Sequence, residues 1–250
     1  MKISKSNLLL GVTPTVSTGA SSDSAANISD PDHSTNYTSS NNQYLTVDFG
    51  SRPVISYLAV SGHNVTDSGS NTGRITLMDH DTVLFNAILD RNNTVMFYFD
   101  ARNFTNLRVV FEAIGGHSNG GTTVSYIAAG AAFDVPNSGE QGGYSRNHLT
   151  RAITSRVTSN KNSAPVAVVT KATELSGKLN IPNVTKAFST GEWQSFLDFS
   201  INQPFFILED ETNFTSSYAC FEPKYIAPKA HGSTRLLDNL AINFKVYNGI

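Results

Sequence analysis

Cysteine is almost missing from this chain: Cys220 stands alone, so no intrachain disulfide can staple the fold. A thiol between Ala219 and Phe221 reads as core filler and not as a nucleophile. Charge is scarce as well, with Asp, Glu, Lys and Arg at 15%. The net charge of −2 offers no basic field for nucleic acid or an anionic membrane. No apolar run approaches the ~20 residues that span a bilayer, so no membrane insertion is expected. Residues 1–11 hold only Leu8, Leu9 and Leu10 as an apolar centre, and no small-residue cleavage site follows. That falls short of a signal peptide, and the chain is expected to begin in a cytoplasm. The Asn-x-Ser/Thr triplets at Asn27, Asn36, Asn64, Asn92, Asn103, Asn183 and Asn213 are then a by-product of composition, not glycan sites.

Catalytic signatures are missing too. There is no Gly-x-Ser-x-Gly elbow, no His-Glu-x-x-His helix and no phosphate loop, so the chain reads as a non-enzyme without a cofactor. Residues 115–121 are Gly-rich, but a β-type segment follows where an anion cradle needs a helix N-terminus. The histidines at 33, 63, 80, 117, 148 and 231 pair nowhere at metal-ligand spacing. Asp79-His80-Asp81 reads as a turn between strands. Glu209, Asp210 and Glu211 read as a solvated turn, because consecutive residues at a strand end point in different directions. Asp30 and Asp32 are the one weak Ca²⁺ candidate, able to join backbone carbonyls around the ion.

What replaces charge is Ser, Thr, Asn and Gly, a composition for short strands and many turns. A polar stretch over 13–42 leads into strand candidates at 44–49, 54–60, 74–78, 83–85, 94–99, 107–111 and 124–130. Turn signals separate them, and the set points to a sandwich or jelly roll. The Pro- and Gly-rich stretch 135–143 is the clearest break. The expected organisation is an arm over 1–12, a jelly roll over 13–135, a linker over 136–145 and a β-rich domain over 146–250. In that last part, 149–158 suits either a strand or a short helix. Strands are expected at 166–169, 175–181, 205–208, 218–225 and 240–246. Thr190 is placed to cap a helix with Trp193, Phe196 and Leu197 on one face. The fold class is all-β in the main, with one or two short helices.

Residues 26–39 read Ala-Asn-Ile-Ser-Asp-Pro-Asp-His-Ser-Thr-Asn-Tyr-Thr-Ser, and Tyr44-Leu45-Thr46-Val47-Asp48-Phe49-Gly50 follow. This pattern resembles the discoidin, or coagulation-factor C-type, family of galactose-binding-like jelly rolls. The strand 55–62 with His63-Asn64 at its end also fits. Tyr37 stands where the family usually has Trp, and the cysteines of extracellular members are missing. Members that bind ligands do so with loops at one end of the sandwich, so the resemblance implies His33, Tyr37, His63 and Asn64 as carbohydrate-binding candidates. The residues themselves also suit structural work: Asp30, Asp32 and Thr35 as turn caps, Tyr37 as a plug for the sandwich end, Asp48 as the strand exit.

The second half resembles tail-tip and distal-tail proteins of tailed bacteriophages through residues 191–197, 204–211 and 218–221. This resemblance implies a structural virion component, assembled in the host cytoplasm, that forms a homo-oligomeric ring and contacts other virion proteins. The alternative is a carbohydrate-binding module contacting a host-surface glycan.

Overall fold

Alternation along the strands sets the architecture. In β4 (Tyr44–Asp48), β6 (Gly73–Asp79) and β9 (Asn106–Ala113) every second residue is buried, the period of a sheet with one wet face. β5 (Val54–His63) and β10 (Thr122–Gly130) are buried almost throughout, the pattern of strands covered on both faces. The structure is a computed structural model that describes residues 1–16, 25–32, 34–39, 44–66, 72–114, 121–136, 144–159, 165–231 and 237–247. It divides into two units: Met1–Asp134 with Gln203–Ala219 and Gly249–Ile250, and Val135–Asn202 with Cys220–Asn248.

Unit 1 is the expected two-sheet sandwich. One sheet orders β2 (Thr15–Val16), β4, β9, β6 and β7 (Thr82–Leu89); the other orders β3 (Tyr37–Ser39), β10, β5 and β8 (Val95–Asn103). Ile75, Leu77, Phe97, Phe104, Phe111 and Tyr37 fill the space between them. The second sheet carries a further layer on its outer face. There β1 (Lys2–Ser4) pairs with β11 (Ala132–Asp134) on one side and β14 (Phe205–Leu208) on the other. Phe206 stacks on Tyr126 at 6.0 Å between centroids, and the Tyr57 hydroxyl donates to the Ser6 carbonyl at 2.7 Å. This layer explains why β5 and β10 are apolar on both faces. It also makes residues 2–4, expected in an arm, an internal strand of unit 1.

Unit 2 is an antiparallel sheet with two short helices. β12 (Tyr144–Ser159) pairs with β13 (Pro165–Thr185), β13 with β16 (Leu237–Val246), and β16 with β15 (Ser217–His231). The ambiguous segment 149–158 is therefore strand, and the candidates 166–169 and 175–181 are parts of one long strand. Of the expected linker, residues 137–143 lie outside the described residues, and 144–145 already belong to β12. α1 (Lys186–Thr190) is capped by Thr185, whose Oγ1 accepts from the Phe188 N–H. Thr190 is thus not a cap; it ends α1, and its hydroxyl donates to the Lys186 carbonyl. α2 (Glu192–Ser200) follows Gly191 and buries Trp193 and Phe196, as its spacing predicts. No described helix is long and apolar enough to cross a membrane.

Candidate functional site

Three of the four residues picked from the sequence are brought together at one end of the four-stranded sheet. Val124 of β10 stands opposite Tyr37 on one side and His63 on the other, and Asn64 lies one position on, beside Thr123. Their surroundings are those of a scaffold. Tyr37 has no exposed surface and His63 is 4% exposed. The His63 Nε2 lies 2.7 Å from the Asn93 carbonyl. Asn64 Oδ1 accepts from the Thr123 N–H at 2.6 Å and closes the strand pair. A ring with no free face cannot stack on a sugar, so Tyr37 plugs the sandwich and does not line its surface. His33 lies outside the described residues.

The Asp30 and Asp32 carboxylates serve the turn they sit in: Asp30 Oδ1 accepts from the Asp32 N–H, and Asp32 Oδ1 from the Ser34 N–H. Asp48 Oδ1 holds the strand exit through the Gly50 N–H. Among the described residues no group of three His, Cys, Asp or Glu side chains could hold a metal. The Asp79 to Asp81 turn carries His80 at φ 55°. Asp81 binds Arg108 at 2.8 Å and His80 at 2.9 Å, and these bonds hold its carboxyl below the ordinary range, Arg108 first.

The surface suited to a ligand lies on the side of the sandwich. β7 and β8 are the edge strands of the two sheets, and a groove of about 410 Å³ opens where they part. Phe85, Tyr98, Phe99, Asp100, Arg102 and Glu211 are among its lining residues. Tyr98 and Phe99 are neighbours in sequence and face opposite sides of the sheet. Ile55 stands opposite Arg102 and Tyr57 opposite Tyr98, so residues 99–101 face the single residue Ser56. This bulge lies beyond Tyr98, which keeps its place on the Lys2 side of the sheet while Phe99 faces the core. Because β8 is an edge strand, side chains from both faces reach the groove. Phe85 supports the floor from β7, its ring 5.5 Å from Phe99 and 5.8 Å from Phe97.

The polar rim is fixed on one side and open on the other. The Lys2 ammonium sits 3.9 Å from the Tyr98 ring centroid and pairs with Asp134 and with Glu211, the latter at 3.2 Å. Burial alone would lower the Lys2 pKa, but hydrogen bonds to Asp134, Tyr98 and Glu211 outweigh it and hold the group above its ordinary value. Glu211 is thereby oriented at the groove. Asp100 and Arg102 are exposed and form no ion pair with another described residue. The groove thus sets the half-buried Tyr98 ring and the charged groups of Asp100, Arg102 and Glu211 above the nearly buried Phe99. Sequence reading missed this site because the strand candidate stopped at Phe99. The available signal was Tyr98, Asp100 and Arg102 at alternate positions after an aromatic run.

No protein-family model matches the chain, and no curated protein does. Solved structures match about half of it. Chitosan-binding module 1 from a chitosanase/glucanase of Paenibacillus sp. IK-5 is 17% identical, covering 50% of this chain and 99% of that module, with a TM-score of 0.39. A family 32 module of Clostridium perfringens, in complex with GalNAc-β-1,3-galactose, is 13% identical over 50% of this chain and 100% of that one, TM-score 0.38. The family 32 module of NanJ from C. perfringens, in complex with galactose, is 17% identical over 48% of this chain and 93% of that one, TM-score 0.36.

Proposed function

We propose that unit 1 is a non-catalytic carbohydrate-binding module and that the groove between β7 and β8 is where it takes its glycan. The observation that carries this reading is the groove along the edge strand β8, where the half-buried Tyr98 ring lies beside the exposed Asp100 and Arg102. Sugars are held by stacking plus a few fixed polar groups, and the groove supplies both. The sequence candidates Tyr37, His63 and Asn64 then act one step back, by holding the strand ends and their loops. The described residues carry no feature particular to a virion component, so glycan binding takes precedence over the tail-tip reading.

The test is a glycan array with the whole chain, followed by titration calorimetry on the best ligand. Asp100→Asn and Arg102→Gln each remove a charged hydrogen-bond partner worth about 1.5 kcal/mol, so each is expected to weaken binding roughly tenfold. Both residues are exposed, and the melting temperature should hold. A glycan that binds the double variant as well as the native chain would remove the groove from the proposal. A chain that binds nothing on the array would remove the function.

A further inference from the structure

The overall charge of −2 conceals a division. Unit 1 carries seven Lys and Arg against fourteen Asp and Glu, a net of −7. Unit 2 carries eleven against six, a net of +5. The basic field that the average excludes is therefore present, on one unit alone. Fields of this size act over a Debye length of about 10 Å at 0.1 M salt and steer association.

In unit 2 part of that charge is arranged on one sheet face. Lys178 of β13 stands opposite Asn243 of β16, which stands opposite Lys224 of β15. Lys245 lies two residues along β16 on the same face, paired with Glu222 at 2.8 Å. Lys178 and Lys224 form no ion pair with another described residue. The neighbouring row runs Asn180, Ala241, Ile226, and Ile226 is 41% exposed. With Pro182 and Asn239 these residues line a shallow groove of about 320 Å³. A greasy strip beside two open lysines is a surface shaped for an acidic protein segment.

Unit 1 presents such a segment at the end of β14. Glu209, Asp210 and Glu211 form a turn tied down by hydrogen bonds: Glu209 N–H to the Ser216 carbonyl at 2.9 Å, Asp210 N–H to Ser216 Oγ at 3.0 Å, and Thr212 N–H to Asp210 Oδ1 at 2.9 Å. A turn already ordered loses little entropy on docking. We infer that this acidic turn of one molecule docks on the Lys178–Lys224 face of a second copy of the chain. The contact uses different surfaces on the two molecules, so each copy keeps one of each open, and association runs on to a closed ring or a chain. Glu211 is paired with Lys2 and also lines the proposed glycan groove, so the contact is assigned to Glu209 and Asp210; the inference does not rest on glycan binding.

The test is solution mass by light scattering on the full chain across protein concentration, at about 0.05 M and about 0.5 M salt. Self-association at low salt, reduced at high salt, is expected. The variants K178E/K224E and E209K/D210K should each stay monomeric alone, because in each the altered surface repels the one it would meet. Their equimolar mixture should associate. Thermal melts check that both are folded, and E209Q/D210N, which keeps polar groups on the turn, should self-associate less than the native chain. A native chain that is monomeric at low salt, an assembly indifferent to salt, or a mixture that stays monomeric would each overturn the inference. So would a monomer that uses Lys178 and Lys224 to bind a labelled DNA duplex instead.

Discussion

Three side chains between the second sheet and its covering layer hold their protons more tightly in the fold than outside it. Burial pushes the Tyr57 hydroxyl well above its ordinary range, with Tyr126 beside it adding to the shift. Burial pushes Tyr126 up to about 12, although Asn7 donates to its oxygen. Lys2 is raised by its acidic and phenolic partners against the pull of burial. The unfolded chain releases these protons from about pH 10 upward, while the folded chain keeps them. Stability is therefore complete below about pH 10 and falls as pH rises through the folded values. Melting temperature followed from about pH 9 to pH 12 should drop steeply, and less steeply in Tyr126→Phe and Lys2→Met. Slopes identical to the native chain in both variants would show that these groups do not carry the alkaline loss. At this scale the sequence was partly legible. Asp30, Asp32 and Asp48 make the turn bonds that their spacing suggests, since such bonds reach only two residues along the chain. Lys2 was not legible, because its partners Asp134 and Glu211 are far along the chain.

Elements that declare themselves by alternation were found, and those defined by a distant partner were not. β4, β6 and β9 follow their period, and β5, β10 and β14 show as apolar runs. β1, β3 and β11 are three residues each, too short for a period to show, and exist because a neighbour supplies the ladder. β12 was ambiguous because its apolar positions fit both periods; the register with β13 decides for strand. Close approach between elements is equally invisible locally. Gly130 ends β10 opposite Tyr57, and a Cβ built there would lie 2.5 Å from the Ser6 carbonyl oxygen. That carbonyl already accepts from Tyr57, and Ser6 Oγ accepts from the Ala131 N–H. The obstacle is backbone, so the N-terminal segment has to move. Gly130→Ala is expected to destabilise unit 1 by roughly 1–3 kcal/mol, the range for overpacking. Hydrogen exchange should locate the loss at the amides of Lys5 and Leu8, which donate to Ala131 and Ala129. Unchanged protection there would mean that the segment absorbs the methyl group.

At the scale of the molecule, the break at 135–143 suggests that a fragment ending there is a complete domain, and unit 1 argues against cutting the chain so. Unit 1 takes back residues 203–219 after the chain has passed through unit 2. That return brings β14, in which Phe205, Phe206, Ile207 and Leu208 are all without exposed surface. Ile207 pairs with Ile3, the Phe206 N–H donates to Ser4 Oγ, and the Phe206 ring covers Tyr126. Each fully buried apolar side chain contributes about 1.5–3 kcal/mol, so loss of the strand removes on the order of 6–12 kcal/mol by that measure. Whole domains hold together by about 5–15 kcal/mol. Fragment 1–135 is therefore expected to be largely unfolded, or loosely packed with β1 unpaired on one edge. Joining 203–219 to residue 134 through a short flexible linker should restore cooperative melting and suppress binding of a hydrophobic dye. The same comparison separates the two accounts of the boundary. If 1–135 alone melts cooperatively at the temperature of the joined form, the core of the sandwich suffices and the third layer is dispensable. If only the joined form folds, the layer that buries the outer face of β5 and β10 is part of the domain.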